Sequence, residues 1–230
     1  MTPSPNAPSS SPQPVKILAL LHTTPVTVPD LSARAAQSAP NIRIINLLDD
    51  SLLSDVMAAG EVTPAVSARL RHYLQAAQDA GAGAIMTCCS SVGQALEDLA
   101  AEVQLPVLRI DLPMAARASA LGERVGVLAT VPTTLAPTAD LIERLARQEG
   151  RPVQVTRKLV DGAYDARLAG NGEGHDRLVL AALQGLLDEV DVIVLAQASM
   201  ARLLPALGDT GGVPVLSSPE SGLAAALESL

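Results

Sequence analysis

Short continuous apolar runs alternate with segments patterned for helices along almost the whole chain, and that alternation limits what it can fold into more than any other feature. Lys16–His22 (KILALLH) is a continuous apolar run from Ile17 to Leu21, and Ile42–Leu48 (IRIINLL), Ala84–Cys88 (AIMTC) and Pro106–Ile110 (PVLRI) are similarly short and mainly apolar. They predict strands covered on both faces. Between them, helices are expected at Pro29–Ala39, from Thr63-Pro64 to Ala80 with Gly81 as its stop, and at Val92–Val103. The pattern then returns after a helix at Pro113–Ala120. Strands are expected at Arg124–Thr130, Val153–Leu159, Val192–Leu195 and Val213–Leu216. Helices are expected at Leu135–Gln148, Asp176–Glu189, Met200–Leu207 and the C-terminus.

The two rounds share sequence as well as pattern. VKILALLHTT from Val15 aligns with VGVLATVPTT from Val125, and LPVLRI at Leu105 with VPVLSS at Val213. AIMTCCS at Ala84 aligns with VIVLAQA at Val192, or one residue off it. A repeat of roughly a hundred residues implies two copies of one α/β domain, each a four-stranded parallel sheet with helices on both faces. The division expected is a tail at residues 1–14, a first domain at 15–112 that takes back the last helix (219–230), and a second domain at 113–218. Ligands of such sheets bind beyond the carboxyl ends of the strands. Two facing copies would therefore share one cleft, lined by Cys88, Gln197, Thr130 and Thr133.

Composition removes several function classes. The net charge is −8 with no basic stripe, which argues against nucleic acid. No apolar run is long enough to span a membrane. Residues 1–14 are rich in Ser and Pro without a charged start or an apolar centre, so they read as a disordered tail and not as a secretory signal. The two cysteines are adjacent, Cys88-Cys89, which makes neither a disulfide framework nor a metal site and suggests a reducing, cytoplasmic setting.

The segment Thr87-Cys88-Cys89-Ser90-Ser91-Val92-Gly93 closes a strand and opens a helix. A thiol beside free backbone N–H groups is expected to have a lowered pKa, which suits removal of a proton next to a carboxylate. Ser90 and Ser91 would cap the helix or hold that carboxylate. The alternative is that both cysteines are small buried hydrophobes. Of the two, Cys88 is the functional candidate, and Cys89, pointing to the opposite face, the structural one. Thr130-Val131-Pro132-Thr133-Thr134 reads either as an anion cradle or as a plain helix start. His22-Thr23-Thr24 follows the first strand; His22 is either an acid/base group or a surface histidine. Asp111 could face the cleft or cap a helix. His72 falls on a solvated helix face, and His175 follows a glycine-rich loop as a lid residue or an exposed one. No His/Cys/Asp/Glu spacing suits a metal.

Together these segments resemble the aspartate/glutamate/hydantoin racemase superfamily, which also holds maleate isomerases and arylmalonate decarboxylases. Cys88-Cys89-Ser90-Ser91-Val92-Gly93 is similar to the first cysteine motif, in its form Cys-x-Ser-x-x-Gly, with Cys88 as the cysteine. Val125 to Thr133 is similar to the glycine-bearing strand and Thr-x-x-Thr loop that binds the substrate carboxylate. Leu195-Ala196-Gln197-Ala198-Ser199-Met200 is similar to the second cysteine motif, with Gln197 in the cysteine's place. The resemblance implies a cofactor-independent isomerase or racemase, pyridoxal phosphate included among the cofactors it does without, acting on a small carboxylate. By family analogy it implies a homodimer. It implies Cys88 and Gln197 as the catalytic pair and Ser90, Ser91, Thr130, Thr133, Thr134, His22 and Thr23 as substrate contacts. Because an amide exchanges no proton near neutral pH, two-thiol racemisation conflicts with Gln197. A single-cysteine decarboxylase or lyase and a non-catalytic small-acid binder stand as alternatives.

Overall fold

The structure, a computed structural model, describes residues 15–230; the expected tail at 1–14 lies outside them. It contains two four-stranded, wholly parallel sheets. The first is built from β1 (Ile17–His22), β2 (Arg43–Leu48), β3 (Ala84–Thr87) and β4 (Val107–Arg109) in the order β2-β1-β3-β4. The second repeats the order as β6-β5-β7-β8, from β5 (Arg124–Ala129), β6 (Gln154–Leu159), β7 (Val192–Leu195) and β8 (Val215–Ser217). Around the first lie α1 (Thr27–Ser38), α2 (Ser51–Ala59), α3 (Pro64–Asp79) and the short α4 (Gly93–Asp98). Around the second lie α5 (Leu112–Leu121), α6 (Pro132–Gln148), α7 (Ala163–Leu168) and α8 (Gly172–Gln184). The last helix, α9 (Ser218–Glu228), leaves β8 and packs on α1 and α5.

Alternation of side chains along each central strand divides the interior into layers. Leu18, Leu20 and Met86 face Leu31 of α1 and Leu223 of α9. Ala19, Leu21 and Ile85 face Leu70 and Leu74 of α3. In the second sheet Val125, Val127 and Val194 face Met114, Leu141 and Ile142, whereas Leu128, Ile193 and Leu195 face Val179 and Leu183 of α8. Apolar side chains fill most of both faces of β1, β3, β5 and β7, with buried His22 and Thr87 at the carboxyl ends of β1 and β3.

The elements differ from expectation where loops meet the strand ends. The helix expected over Val92–Val103 is only α4, flanked by 3-10 turns at Ser90–Val92 and Ala100–Glu102. The hydroxyls of Ser90 and Ser91 bond across to the second half instead of capping it. Asp176–Glu189 is displaced to α8, which starts earlier because Asn171 accepts from the Gly174 N–H at 2.8 Å. The turn after β7 is a 3-10 segment, Ala198–Ala206. Two helices, α2 and α7, are not among the expected elements. The start of α2 is held by Asp49, which accepts from the Ser51 N–H and hydroxyl, and its end by Gly60 at φ 76°. Thr63 caps α3 ahead of Pro64, as expected, accepting from the Val66 N–H at 3.3 Å.

The repeat register also shifts. The Cys88 N–H donates to Leu21 O at 2.8 Å, and the Ala196 N–H donates to Leu128 O at 2.9 Å. Strand pairing sets Leu18 beside Ala84 and Val125 beside Val192. Leu18 is thus the counterpart of Val125, three residues away from the Val15–Val125 alignment. Thr23 then corresponds to Thr130, Cys88 to Ala196, and Cys89 to Gln197.

Candidate active site

The carboxyl ends of β1, β3, β5 and β7 converge, and the loops that leave them meet between the sheets. Ser90 Oγ donates to Ala196 O at 3.3 Å, while Ser91 Oγ lies 3.0 Å from Thr134 Oγ1 and 3.4 Å from Thr133 Oγ1. Behind this seam is a central cavity of about 50 Å³, lined by Thr23, Thr24, Cys88, Cys89, Ser90, Thr134, Gln197 and Ser199. Thr24, Leu53, Gln197 and Ser199 also line a chamber of about 500 Å³ that adds Thr130, Tyr164, Arg167 and His175. The cavity is the inner end of that chamber. Ser91 and Thr133 line a separate groove of about 620 Å³ with Val56, Met57, Val62 and Ala136.

Both cysteines line the cavity, but they differ in burial. Cys88 continues the alternation of Ala84 and Met86, and its side chain packs with Leu18, Leu20, Ile110 and Leu223. It is 5% exposed, and burial pushes its thiol up, followed by the neighbouring Cys89. That corrects the expected lowering: a thiolate there would lose its hydration without a compensating cation. Cys89 is only half-buried, extended at φ −138° and ψ 120°, and opens the 3-10 turn. Gln197 has the matching backbone, φ −112° and ψ 130°, and opens the 3-10 turn after β7.

Gln197 Oε1 accepts from the Thr130 N–H at 2.7 Å and from its hydroxyl at 3.0 Å. Because a backbone N–H can only donate, these bonds fix the amide orientation and leave Nε2 as the donor end. In the first half a cysteine replaces the amide, and the hydroxyl of Thr23, counterpart of Thr130, is buried without a partner. A buried hydroxyl in a cavity wall is free to bond a water or a ligand oxygen.

Other candidates move away from the cavity. His22 is fully buried, with Nδ1 2.8 Å from Thr27 Oγ1 and Nε2 2.9 Å from Asn46 Oδ1. Asn46 Nδ2 donates to Ser32 Oγ, so Oδ1 is its acceptor and Nε2 of His22 bears the proton. Burial lowers its pKa, partly offset by the Asn46 bond. His22 is therefore a buried histidine and not a surface one, and it lines neither the cavity nor the chamber. Asp111 neither faces the cleft nor caps α5; both oxygens accept from buried Arg109, at 2.9 and 3.0 Å. Arg109 also reaches Glu97, which Arg144 of α6 bridges from the other half. Gly93 is required here, since a Cβ would stand 2.6 Å from Arg109 Nε. His72 is exposed.

Three residues that the sequence reading did not assign to the site, Tyr164, Arg167 and His175, line the chamber. They come from α7 and α8, and α7 has no apolar pattern to announce it. His175 is 3% exposed rather than a free loop residue. Among the described residues no group of three His, Cys, Asp or Glu side chains could hold a metal ion, and no helix is long and apolar enough to cross a membrane.

The sequence pattern of the Asp/Glu/hydantoin racemase family matches residues 21–226. No curated protein matches the chain. Solved structures do match. Picrophilus torridus aspartate racemase superposes with a TM-score of 0.69 at 16% identity, covering 93% of this chain and 94% of that one. Francisella tularensis glutamate racemase, in complex with D-glutamate, gives 0.72 at 13% identity, covering 93% and 80%. Klebsiella pneumoniae allantoin racemase gives 0.66 at 15% identity, covering 93% and 86%. Identities this low speak for the fold: two parallel four-stranded sheets around one cleft.

Proposed function

The chain belongs to the Asp/Glu/hydantoin racemase family, and from that premise we propose that it moves a proton on the carbon next to a carboxylate, without a cofactor, using Cys89 as the thiol acid/base. The observation that carries this reading is the pseudo-twofold pairing of Cys89 with Gln197 across a cavity whose wall includes the orphan hydroxyl of Thr23. Cys88 is a core residue in this account. The thiolate of Cys89 takes the α-proton, and the C–H electron pair moves onto the carboxylate as an enediolate. The Thr23 and Thr134 hydroxyls and the Gln197 Nε2–H groups donate to its oxygens, and such preorganised donors matter most where charge develops. Return of a proton to the carbon closes the cycle.

Arg167 suggests the substrate class. It lines the same chamber as Gln197 and offers a fork that suits a second carboxylate. The expected substrates are small dicarboxylic acids bearing an α-amino or α-hydroxy group. Proton NMR in deuterium oxide tests this, with each enantiomer of aspartate, glutamate and malate beside allantoin and arylmalonates. Deuterium at the α-carbon of a dicarboxylate is expected. Exchange confined to neutral hydantoins overturns the substrate class. If no compound exchanges and none raises the melting temperature, the cleft is not an acid-binding enzyme site.

A further inference from the structure

Gln197 removes the second thiol from the cleft, and the same side of the cleft presents an imidazole. His175 stands in the first turn of α8 and lines the chamber together with Gln197 and Thr130. Resting on the reading above, we propose that His175 is the acid/base on the Gln197 side, so that proton transfer runs between the thiol of Cys89 and the imidazole of His175.

The ring is built for that role. Its Nδ1 lies 2.8 Å from Asp176 Oδ1. An ionised carboxylate only accepts, so Nδ1 bears the hydrogen and Nε2 is the basic nitrogen. Asp176 is itself held by Arg202 of the 198–206 segment through both carboxylate oxygens. That ion pair, ahead of the opposing effect of burial and helped by His175, holds the Asp176 carboxyl at about 2. It stays charged wherever an imidazole titrates. Arg202 Nη2 also approaches Nδ1, at 3.3 Å, but the shorter carboxylate contact decides the tautomer. The remaining ionisable side chains of the chamber are Arg167 and Tyr164 of α7. A histidine in a cleft wall, oriented by a carboxylate on one nitrogen, has the parts of a general acid/base.

The protons balance. With Cys89 as thiolate and His175 as imidazolium, Cys89 Sγ takes the α-proton of one enantiomer and Nε2–H delivers its proton to the opposite face. The C–H electron pair is returned, nothing is oxidised or reduced, and the protein is left as thiol and neutral imidazole. The other enantiomer runs the sequence backwards, with Nε2 as base, and restores the starting pair. Racemisation thereby returns as a thiol–imidazole reaction.

Enantiomer-resolved deuterium exchange tests it, on a dicarboxylate that the native protein turns over. His175→Gln should lower interconversion by about 10²–10⁴-fold, the usual loss for a positioned acid/base. It should keep α-deuteration of one enantiomer, the one Cys89 deprotonates, and Cys89→Ala should keep that of the other. Asp176→Asn leaves the ring in place and should move the acid limb of kcat/KM to lower pH, which a packing role would not do. If His175→Gln interconverts within a few-fold of the native rate while Cys89→Ala is inactive, this proposal falls and the thiol reading stands. If His175→Gln loses exchange of both enantiomers equally and Asp176→Asn leaves the pH profile unmoved, the histidine is structural and the proposal is again overturned. Absence of exchange in the native protein overturns both.

Discussion

Gly93→Ala should destabilise this protein although the position is helical, at φ −59° and ψ −47°. Helix propensity alone predicts a gain of up to about 1 kcal/mol for the exchange. The new Cβ, however, would sit 2.6 Å from Nε, 2.9 Å from Cζ and 3.0 Å from Nη2 of Arg109. Arg109 is 4% exposed and holds Asp111, which is fully buried, so the guanidinium cannot yield without opening the pair. Breaking a buried ion pair costs roughly 3–5 kcal/mol. Set against the propensity gain, the net loss is about 2–4 kcal/mol. For a chain of this size that lowers Tm by roughly 4–16 °C. Calorimetry or urea unfolding monitored by circular dichroism measures it. In an Arg109→Leu, Asp111→Leu background the clash is gone, and Gly93→Ala should become neutral or stabilising. An unchanged or raised Tm for Gly93→Ala in the native background would refute the reasoning.

The remaining predictions concern the cavity and its surroundings. Iodoacetamide should label Cys89 in the folded protein and reach Cys88 only on unfolding, because Cys88 is buried and its thiol pushed up; peptide mass spectrometry reads the ratio, and preferential labelling of Cys88 contradicts the assignment. Thr23→Val removes an unpaired buried hydroxyl. It should raise the stability of the ligand-free protein by about 1–3 kcal/mol while weakening carboxylate binding roughly tenfold or more; a loss of stability with binding unchanged would show that the hydroxyl has a partner within the fold. His22 titrates near 6.5 when unfolded, and burial lowers its folded value. As pH falls below about 6.5 the unfolded state therefore takes up the proton first, and stability declines. His22→Gln should flatten that acid limb, and an unaltered limb places the titration elsewhere.

The fold was legible because it rests on few and strong signals. Runs such as ILALL (Ile17–Leu21) and VIVL are apolar at every position, as strands covered on both faces are. The repeat was visible, but its alignment followed the paired threonines, Thr23-Thr24 with Thr133-Thr134, whereas hydrogen bonds at the strand ends pair Leu21 with Leu128. A different signal bears on the cysteines. The unshifted alignment of AIMTCCS with VIVLAQA already sets Cys89 against Gln197, but the spacing to Gly93 favoured Cys88. That glycine answers to the Arg109 guanidinium and says nothing of which thiol faces the cavity. For His175 the sequence leaves open a lid residue or an exposed one, because its partner Arg202 and neighbour Gln197 lie more than twenty residues away, and only the return of β7 brings them together.

The central claim is that a single thiol, Cys89, works from the end of β3 while Cys88 belongs to the core. The most direct measurement is the rate of α-deuteration of each enantiomer of a dicarboxylate by the native protein, by Cys89→Ala and by Cys88→Ala, each confirmed folded by circular dichroism. For the enantiomer that Cys89 deprotonates, the account predicts a fall of about 10²–10⁴-fold for Cys89→Ala, and for both enantiomers a rate within about threefold of native for Cys88→Ala. A rate that survives the loss of Cys89 for both enantiomers, or one that is abolished by the loss of Cys88, contradicts it.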